Sequence, residues 1–416
     1  FFNSWIGSLK DNAKNSQPIT PSEMEQFEQQ LEDGLQHVAN IDIDAIQLDN
    51  GASITITNKN AQEKTVYVYN GKDYKSNHLT VSAILNSAKV TIYDIAGNSK
   101  DVTCSVTPKV YINNIKKDGV IITVNAKKVN NNIKGYYFSY NSTRPNKNTG
   151  GYLETSNTSV DVVRLPGTTY VWVEDTSGKI SNYKTVTIGN DALFITTGSE
   201  YKILKNTRLD TFLKNHGWSL TELNKLINRS VLAAGLYTKT SAATAAVSLQ
   251  LVLAQKYQIR LPYWWGGKSW SFGADGEWGE YRYKINENTG KEYLYDGLDC
   301  TGFTTWAYVN AGYDIGSVTN KYGVYFDAWW KKRIDFNKGE IGDFLVYNND
   351  RNNRHAKLII GKTSDGYITA ESSGGNSGMI INTHLFSKAG SYKVEKAELL
   401  MDDYEKIPKS KYPKGF

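Results

Sequence analysis

Cysteine is the scarcest chemistry in this chain: Cys104 and Cys300 are the only two among 416 residues. That excludes a disulfide framework, and with Cys104 in a β-rich stretch far from Cys300 no single bridge is expected either. Low cysteine does not exclude export, because many exported proteins of Gram-positive bacteria lack disulfides. Long apolar runs are missing too. No segment could cross a bilayer as a helix, so an integral membrane protein is not expected. No dense Lys/Arg run with interleaved aromatics occurs, which argues against nucleic acid as a partner. Asp275, Glu277 and Glu280 form an acidic cluster, but they lack the spacing of a calcium loop, so no metal site is expected.

What is present describes a folded multidomain protein. Hydrophobic residues make up 40% and charged residues 22% of the sequence, and its length suits two to four domains. Charge is uneven. Residues 1–50 hold two lysines against nine acids, a net of −7, which leaves +13 on the rest of a chain whose total is +6. A basic body suits an anionic surface such as a teichoic-acid-bearing wall. The chain opens on Phe1-Phe2-Asn3-Ser4-Trp5-Ile6-Gly7 without Met, as would result from removal of an export signal or anchor. Its Asn-, Lys- and Tyr-rich composition suits a low-GC Gram-positive source.

Periodicity divides the chain further. Thr20-Pro21-Ser22-Glu23 is a capping-box start, and Met24, Phe27, Leu31, Leu35 and Val38 fall on one helical face, giving a helical segment over 1–40. Alternating runs such as Ser53–Thr57, Thr65–Tyr69, Lys89–Tyr93, Val120–Val124 and Thr169–Val173, separated by turn residues, predict β-sandwiches. Tyr93-Asp94-Ile95-Ala96-Gly97 resembles Glu174-Asp175-Thr176-Ser177-Gly178, with the shared Asp and Gly 81 residues apart in each case. A repeat of that period predicts two Ig-like modules, 41–108 and 109–192, which look like bacterial surface modules used for spacing or wall docking. Helical patterns return over 193–258. Ser219-Leu220-Thr221-Glu222 is a second capping box, and Ala242–Leu253 is too apolar to be exposed, so it should pack under a sheet.

The richest chemistry lies in the final region, 259–416. Asp299-Cys300-Thr301-Gly302-Phe303 sets a cysteine at the start of a helical run. There, unpaired N–H groups and the positive end of the helix dipole favour thiolate. Asp299 opposes that charge, and its expected roles are helix N-cap and binder of a substrate cation. His355 follows in a strand-like run ending at Gly361. Gly342-Asp343 feeds the strand before it, and Gly366–Ser373 forms the one after. Upstream stand Tyr263, Trp264, Trp265, Gly266 and Gly267. Seven of the ten tryptophans lie between Trp264 and Trp330. Trp306 reads as core, while Trp270 and Trp278, in loop-like sequence, read as walls of a substrate groove.

These blocks resemble the NlpC/P60 family of bacterial cell-wall cysteine peptidases. The likeness spans about half the chain, from near Leu204 to near Leu400. It implies an α+β papain-like fold, so the expected architecture is two all-β Ig-like sandwiches followed by a papain-like catalytic domain. It implies Cys300 as nucleophile, His355 as base, Tyr263 at the substrate and the Cys300 N–H in the oxyanion hole, with no cofactor or metal. Thr301 stands where the family usually has Ser, keeps the hydroxyl, and is expected with Thr369 among the substrate-binding residues. The family often orients its imidazole with a His where this chain has Thr369. Glu371, two residues on and on the same strand face, is the stronger candidate for that orienting role. The implied activity is hydrolysis of peptidoglycan stem peptides at the γ-D-glutamyl–diamino acid bond, by a secreted or wall-associated protein. Amidase, acyltransferase or transpeptidase chemistry, or a non-catalytic wall adhesin, are the alternatives. Peptidoglycan is the expected partner, with anionic wall polymers or other surface proteins for the sandwiches.

Overall fold

The computed structural model describes residues 41–48, 51–58, 66–69, 72–75, 78–84, 87–93, 99–105, 110–128, 131–148, 150–194, 201–285, 290, 292–315, 333–350, 353–374, 378–397 and 404–413. The helix expected over 20–38, the first copy of the repeated turn at 94–97, and Trp329 and Trp330 lie outside them. The chain divides into two compact units. One comprises Phe1–Asn113, Lys127–Asn132 and Ser177–Asn182; the other comprises Asn114–Ala126, Ile133–Thr176 and Tyr183–Phe416.

The N-terminal strands are β1 (Ile41–Leu48), β2 (Gly51–Asn58), β3 (Val66–Tyr69), β4 (Lys72–Lys75), β5 (His78–Ile84), β6 (Ser87–Tyr93) and β7 (Ser99–Ser105). They form two sandwich-like sheets, β1-β2-β5 and β4-β3-β6-β7. The next seven are β8 (Tyr111–Asp118), β9 (Ile121–Lys127), β10 (Ile133–Ser139), β11 (Tyr152–Glu154), β12 (Ser159–Val163), β13 (Gly167–Asp175) and β14 (Lys184–Ile188). Their sheets run β12-β9-β8 and β11-β10-β13-β14. Each strand in this second set has its counterpart seven strands earlier in the same sheet position, so the internal repeat seen in the sequence is a repeat of topology. Alternation explains the faces. On β9, Ile122 and Val124 are buried and pair with Val162 and Val160 of β12. The turn after β13 needs a left-handed residue, and Gly178 supplies φ +84°.

The second sandwich shares its core with the helices C-terminal to it. Beyond β15 (Lys202–Ile203) come helices α1 (Leu209–Asn215), α2 (Leu220–Ala234) and α3 (Lys239–Tyr257). Val163 and Leu165 join one continuous core with Leu223, Leu226, Ile227 and Val231 of α2. Ser230 Oγ accepts the Val163 N–H at 2.7 Å, and the buried Arg164 donates to the Ala233 carbonyl at 2.8 Å. The expected division at 192/193 is therefore crossed by shared core. The capping box of α2 is formed by the residues that predicted it: Ser219 Oγ accepts the Glu222 N–H at 3.1 Å and Glu222 Oε2 accepts the Ser219 N–H at 2.8 Å.

Helix α3 is buried on nearly all sides from Ser241 to Ala254. Its alanines allow close approach, and its hydroxyls turn back onto the helix, as where Ser248 Oγ donates to the Thr244 carbonyl. After it come β16 (Ile259–Arg260), β17 (Tyr281–Ile285), β18 (Glu292–Tyr295), α4 (Cys300–Asn310), β19 (Arg333–Ile334), β20 (Phe344–Asp350), β21 (Asn353–Lys362), β22 (Gly366–Ser373), β23 (Gly378–Leu385) and β24 (Lys393–Glu395). A six-stranded sheet, β19-β24-β20-β21-β22-β23, is antiparallel throughout. Ala356, Leu358 and Ile360 of β21 share the large core with Phe303 and Trp306 of α4 and with Val247 and Leu251 of α3. Leu345, Ile359, Tyr367 and Val394 form a second, smaller core. Gly342-Asp343 pins this body together. The Asp343 carboxylate accepts N–H groups of Glu340 and Ala397 and the Lys239 ammonium. Gly342, at φ +90°, would drive a Cβ to 2.4 Å from the Lys239 side chain.

Candidate active site

The site begins at the start of α4. Asp299 is its N-cap: Oδ1 accepts the Gly302 N–H at 2.6 Å, as the sequence led us to expect. The loop of Trp264 to Gly267 is laid directly on this cap. Gly266 N–H donates to Asp299 Oδ2 at 3.0 Å and Asp299 N–H to the Gly267 carbonyl at 3.1 Å. A Cβ on Gly302 would lie 2.0 Å from that same carbonyl, so the glycine of the cysteine block is required by close approach of two backbones. Cys300 is thus fixed from both sides.

Its chemistry differs from the expectation of a stabilised thiolate. Burial first, and then the charge of Asp299, push the Cys300 thiol up to about 12. The N–H groups of Ala356 and Thr301 and the charge of Lys268 act in the opposite direction and are outweighed. The helix start does favour the anion, but Cys300 is only 8% exposed and desolvation is the larger effect. The resting residue is a thiol. The backbone N–H that acts on this sulfur is that of Ala356, the residue after His355 on β21.

Asp299 also has its cation already. Lys268 Nζ lies 2.5 Å from both carboxylate oxygens and 2.5 Å from Thr301 Oγ1. The Thr301 hydroxyl itself donates to Asp299 Oδ1 at 2.9 Å. Both residues expected to meet substrate, Asp299 and Thr301, are therefore occupied by an internal ammonium and by each other.

Around His355, strand geometry assembles a second group. Alternation puts His355 and Lys357 on one face of β21 and Thr369 and Glu371 on one face of β22. Leu358 pairs with Ala370, so Lys357 and Glu371 are the next residues along on their two strands. His355 Nε2 and Glu371 Oε2 are hydrogen-bonded. Glu371 Oε1 accepts from Lys357 Nζ at 3.0 Å and from Asn382 Nδ2 at 2.7 Å. Burial alone would raise the Glu371 carboxyl; the His355 hydrogen bond, the Lys357 and His355 charges and the Asn382 amide overcome it and hold the group down at about 2. Thr369 is fully buried and its hydroxyl reaches the Asn382 carbonyl at 3.4 Å, so it does not take the place beside the imidazole. Tyr263 bridges to Leu298 on the backbone, and its ring lies beside Gly374 at the end of β22.

The tryptophans divide. Trp270 is 39% exposed and Trp265 41%. Trp278 corrects the expectation of a groove wall: it is 2% exposed and packs edge-on against Trp306, with ring centroids 6.1 Å apart. The loop-like sequence around it conceals a turn that drives the indole into the core. Glu277 and Glu280 of this insert are paired with arginines, Arg208 with both and with Asp210, and Arg282 with Glu277 and Asp296, while Asp275 Oδ1 accepts the Glu277 N–H at 2.9 Å.

Residues 260–389 match the family model described as the NlpC/P60 family. The matched stretch lies wholly within the C-terminal half and holds the start of α4 and strands β20 to β23. The match takes in Tyr263, Cys300, His355 and Glu371 and stops short of Tyr392. No curated protein matches the chain. Among solved structures, the chain is similar to fibronectin(III)-like modules of Clostridium thermocellum CbhA, at 11% identity over 36% of this chain and 93% of that one, with a TM-score of 0.17. It is similar also to the Bacteroides ovatus SGBP-B of a mixed-linkage glucan utilization locus, at 15% identity over 33% and 42%, with a TM-score of 0.14. Domains 7, 8 and 9 of the S-layer protein SbsC are similar at 13% identity over 36% and 59%, with a TM-score of 0.14. Scores that low carry nothing about fold or ligand, and the sandwich description rests on the strand order itself.

Four residues of the candidate site were missed from the sequence: Lys268, Lys357, Asn382 and Tyr392. Lys357 was within reach of the same two-residue rule that singled out Glu371. Lys268 directly follows the Gly266-Gly267 pair. Asn382 and Tyr392 depend on pairings and ring contacts that no local pattern carries. Among the described residues no helix is long and apolar enough to cross a membrane, and no group of three or more His, Cys, Asp or Glu side chains could hold a metal ion.

Proposed function

We propose that the C-terminal half is a papain-like cysteine peptidase acting on peptidoglycan stem peptides, with Cys300, His355 and Glu371 as its catalytic set. The observation that carries this reading is the Glu371 carboxylate on His355 Nε2, with the backbone of the next residue on that strand, Ala356, acting on the Cys300 sulfur at the start of α4. With Nε2 engaged, Nδ1 is the nitrogen free to take the thiol proton. Because the resting group is a thiol, proton transfer to His355 and attack on the substrate carbonyl are coupled. The C–S bond forms and the carbonyl oxygen becomes an oxyanion, facing the N–H groups that the first turn of α4 leaves without helical partners. The C–N bond then breaks and the amine leaves with the proton from His355. Water, deprotonated by the same imidazole, attacks the thioester, releases the acid and returns the thiol. Glu371 stays an anion throughout and orients the ring.

The bond proposed is that between the γ-carboxyl of D-glutamate and the diamino acid. Tyr263 and the exposed Trp270 would line the substrate path. The sandwich regions 41–108 and 109–192 would serve as spacers or wall-docking modules of a secreted, wall-associated enzyme. The test is digestion of purified peptidoglycan by the full chain, with mass analysis of the soluble products. Release of stem fragments by the wild type and none by Cys300→Ala supports hydrolysis. Amine-dependent products instead of free acids would make the enzyme a transpeptidase, and equal wall binding without release would make it an adhesin.

A further inference from the structure

Lys357 is an unexpected residue where it stands. It is 8% exposed, on a strand whose neighbours Ala356, Leu358, Ile359 and Ile360 are all buried and apolar. Burying an ammonium costs several kcal/mol in lost hydration unless it is paired and hydrogen-bonded. Its partner is Glu371 Oε1 at 3.0 Å, and its ammonium lies 5.1 Å from the centre of the Tyr392 ring. The same carboxylate serves His355 through its other oxygen. One buried carboxylate is thus shared between a lysine ammonium and an imidazole.

We propose that Lys357 is a positioning residue of the Cys300–His355 site: with Asn382 it clamps the Glu371 carboxylate onto His355 Nε2, and its charge balances that of the glutamate behind the ring. This rests on the peptidase reading given above. Without Lys357, a buried carboxylate on Nε2 would favour imidazolium, and a protonated ring cannot accept the thiol proton. With it, the glutamate keeps its orienting bond while the net charge behind the ring is near zero. Other titratable side chains on the elements around His355 are Cys300 on α4, Tyr347 on β20, His384 on β23 and Tyr392 before β24. Beyond Cys300 lie Asp299 and Lys268, already paired with each other. His384 responds to the same centre: burial lowers its pKa first, and the Lys357 charge lowers it further. Its ring meets Tyr392 edge-on at 4.6 Å.

The test uses the full-length chain and the pH dependence of Cys300 alkylation by iodoacetamide, which needs no substrate, beside kcat and KM on a stem peptide. In Lys357→Met the acid limb of alkylation should move up by about one pH unit, a roughly tenfold loss of rate on that limb. On the stem peptide kcat should fall and KM should hold. Lys357→Arg should restore most of the wild-type profile. The double variant Lys357→Met/Glu371→Gln removes both charges, so its acid limb should return towards the wild-type position while kcat stays low. It also keeps the test open should the single variant fail to fold. An unmoved limb in folded Lys357→Met, or a displaced limb in the double variant, overturns the proposal. Wild-type alkylation with the expected shifts but no release from peptidoglycan would instead sink the peptidase reading and leave the role of Lys357 standing.

Discussion

Two buried carboxylates flank Cys300, and each is matched to a lysine, but the two pairs are built to different ends. Asp299 is spent on structure. It caps α4, takes an N–H from the Gly266 loop, and has Lys268 across both oxygens. Glu371 divides its oxygens, one to His355 and one to Lys357 and Asn382. The Asp299 charge works against ionisation of the thiol, so Lys268 offsets a cost of the cap. On the proposed reading the Glu371 carboxylate orients the imidazole but its charge would also favour the protonated ring, and Lys357 offsets that second effect. On that reading each carboxylate favours the protonated form of its neighbour, and each lysine offsets the effect.

The largest effect should come from breaking the pair at the base. Glu371→Gln keeps the shape but loses the anion on Nε2, and kcat should fall on the order of 100-fold in steady-state hydrolysis of a stem peptide. The same variant should flatten the acid limb of stability. The Glu371 carboxyl is held at about 2 in the fold against an ordinary 4.5, so its contribution is complete above pH 4.5 and is lost as pH falls towards 2. Melting temperatures should therefore drop less steeply across that window in Glu371→Gln than in the wild type. An equally steep drop would separate Glu371 from acid stability.

A smaller effect belongs to the pair at the nucleophile. Lys268→Met leaves Asp299 uncompensated, and alkylation of Cys300 at neutral pH should slow by about tenfold, one pH unit of displacement. Adding Asp299→Asn should recover most of that loss, since Asn caps a helix about as well as Asp. Failure to recover would mean that Lys268 acts through packing of the Gly266 loop and not through charge. The smallest effect on chemistry should come from the buried tryptophan. Trp278→Ala should cost about 3–5 kcal/mol of stability through the cavity left against Trp306, with little change in kcat for the protein that stays folded. Trp270→Ala should do the reverse, leaving the melt unmoved and raising KM.

Much of this was legible from local pattern. Strand alternation and a period of 81 residues led to two sets of β-strands, and their shared order reflects that repeat. The Ser219 capping box and the apolar Ala242–Leu253 run led to helices that form where expected. Glu371 was reached through the period of a strand. Other features depend on what the chain meets only when folded. The helix-start argument at Cys300 was sound about the dipole and silent about desolvation, which is larger. Trp278 looked like loop because its turn does not reveal which side of it is core. The core that crosses 192/193 was not legible because Val163 and Leu165, read as sandwich residues, pack against α2 as well.

The central claim is that Cys300 forms a thioester with the acyl half of a cell-wall peptide while His355, oriented by Glu371, carries the proton. Intact-protein mass spectrometry of the full chain, acid-quenched during turnover of a stem peptide, tests it most directly. The account predicts an adduct on Cys300 equal in mass to the released acid less one water, discharged by hydroxylamine. Undiminished hydrolysis by Cys300→Ala, or turnover with no adduct on Cys300 under any quench, would contradict it.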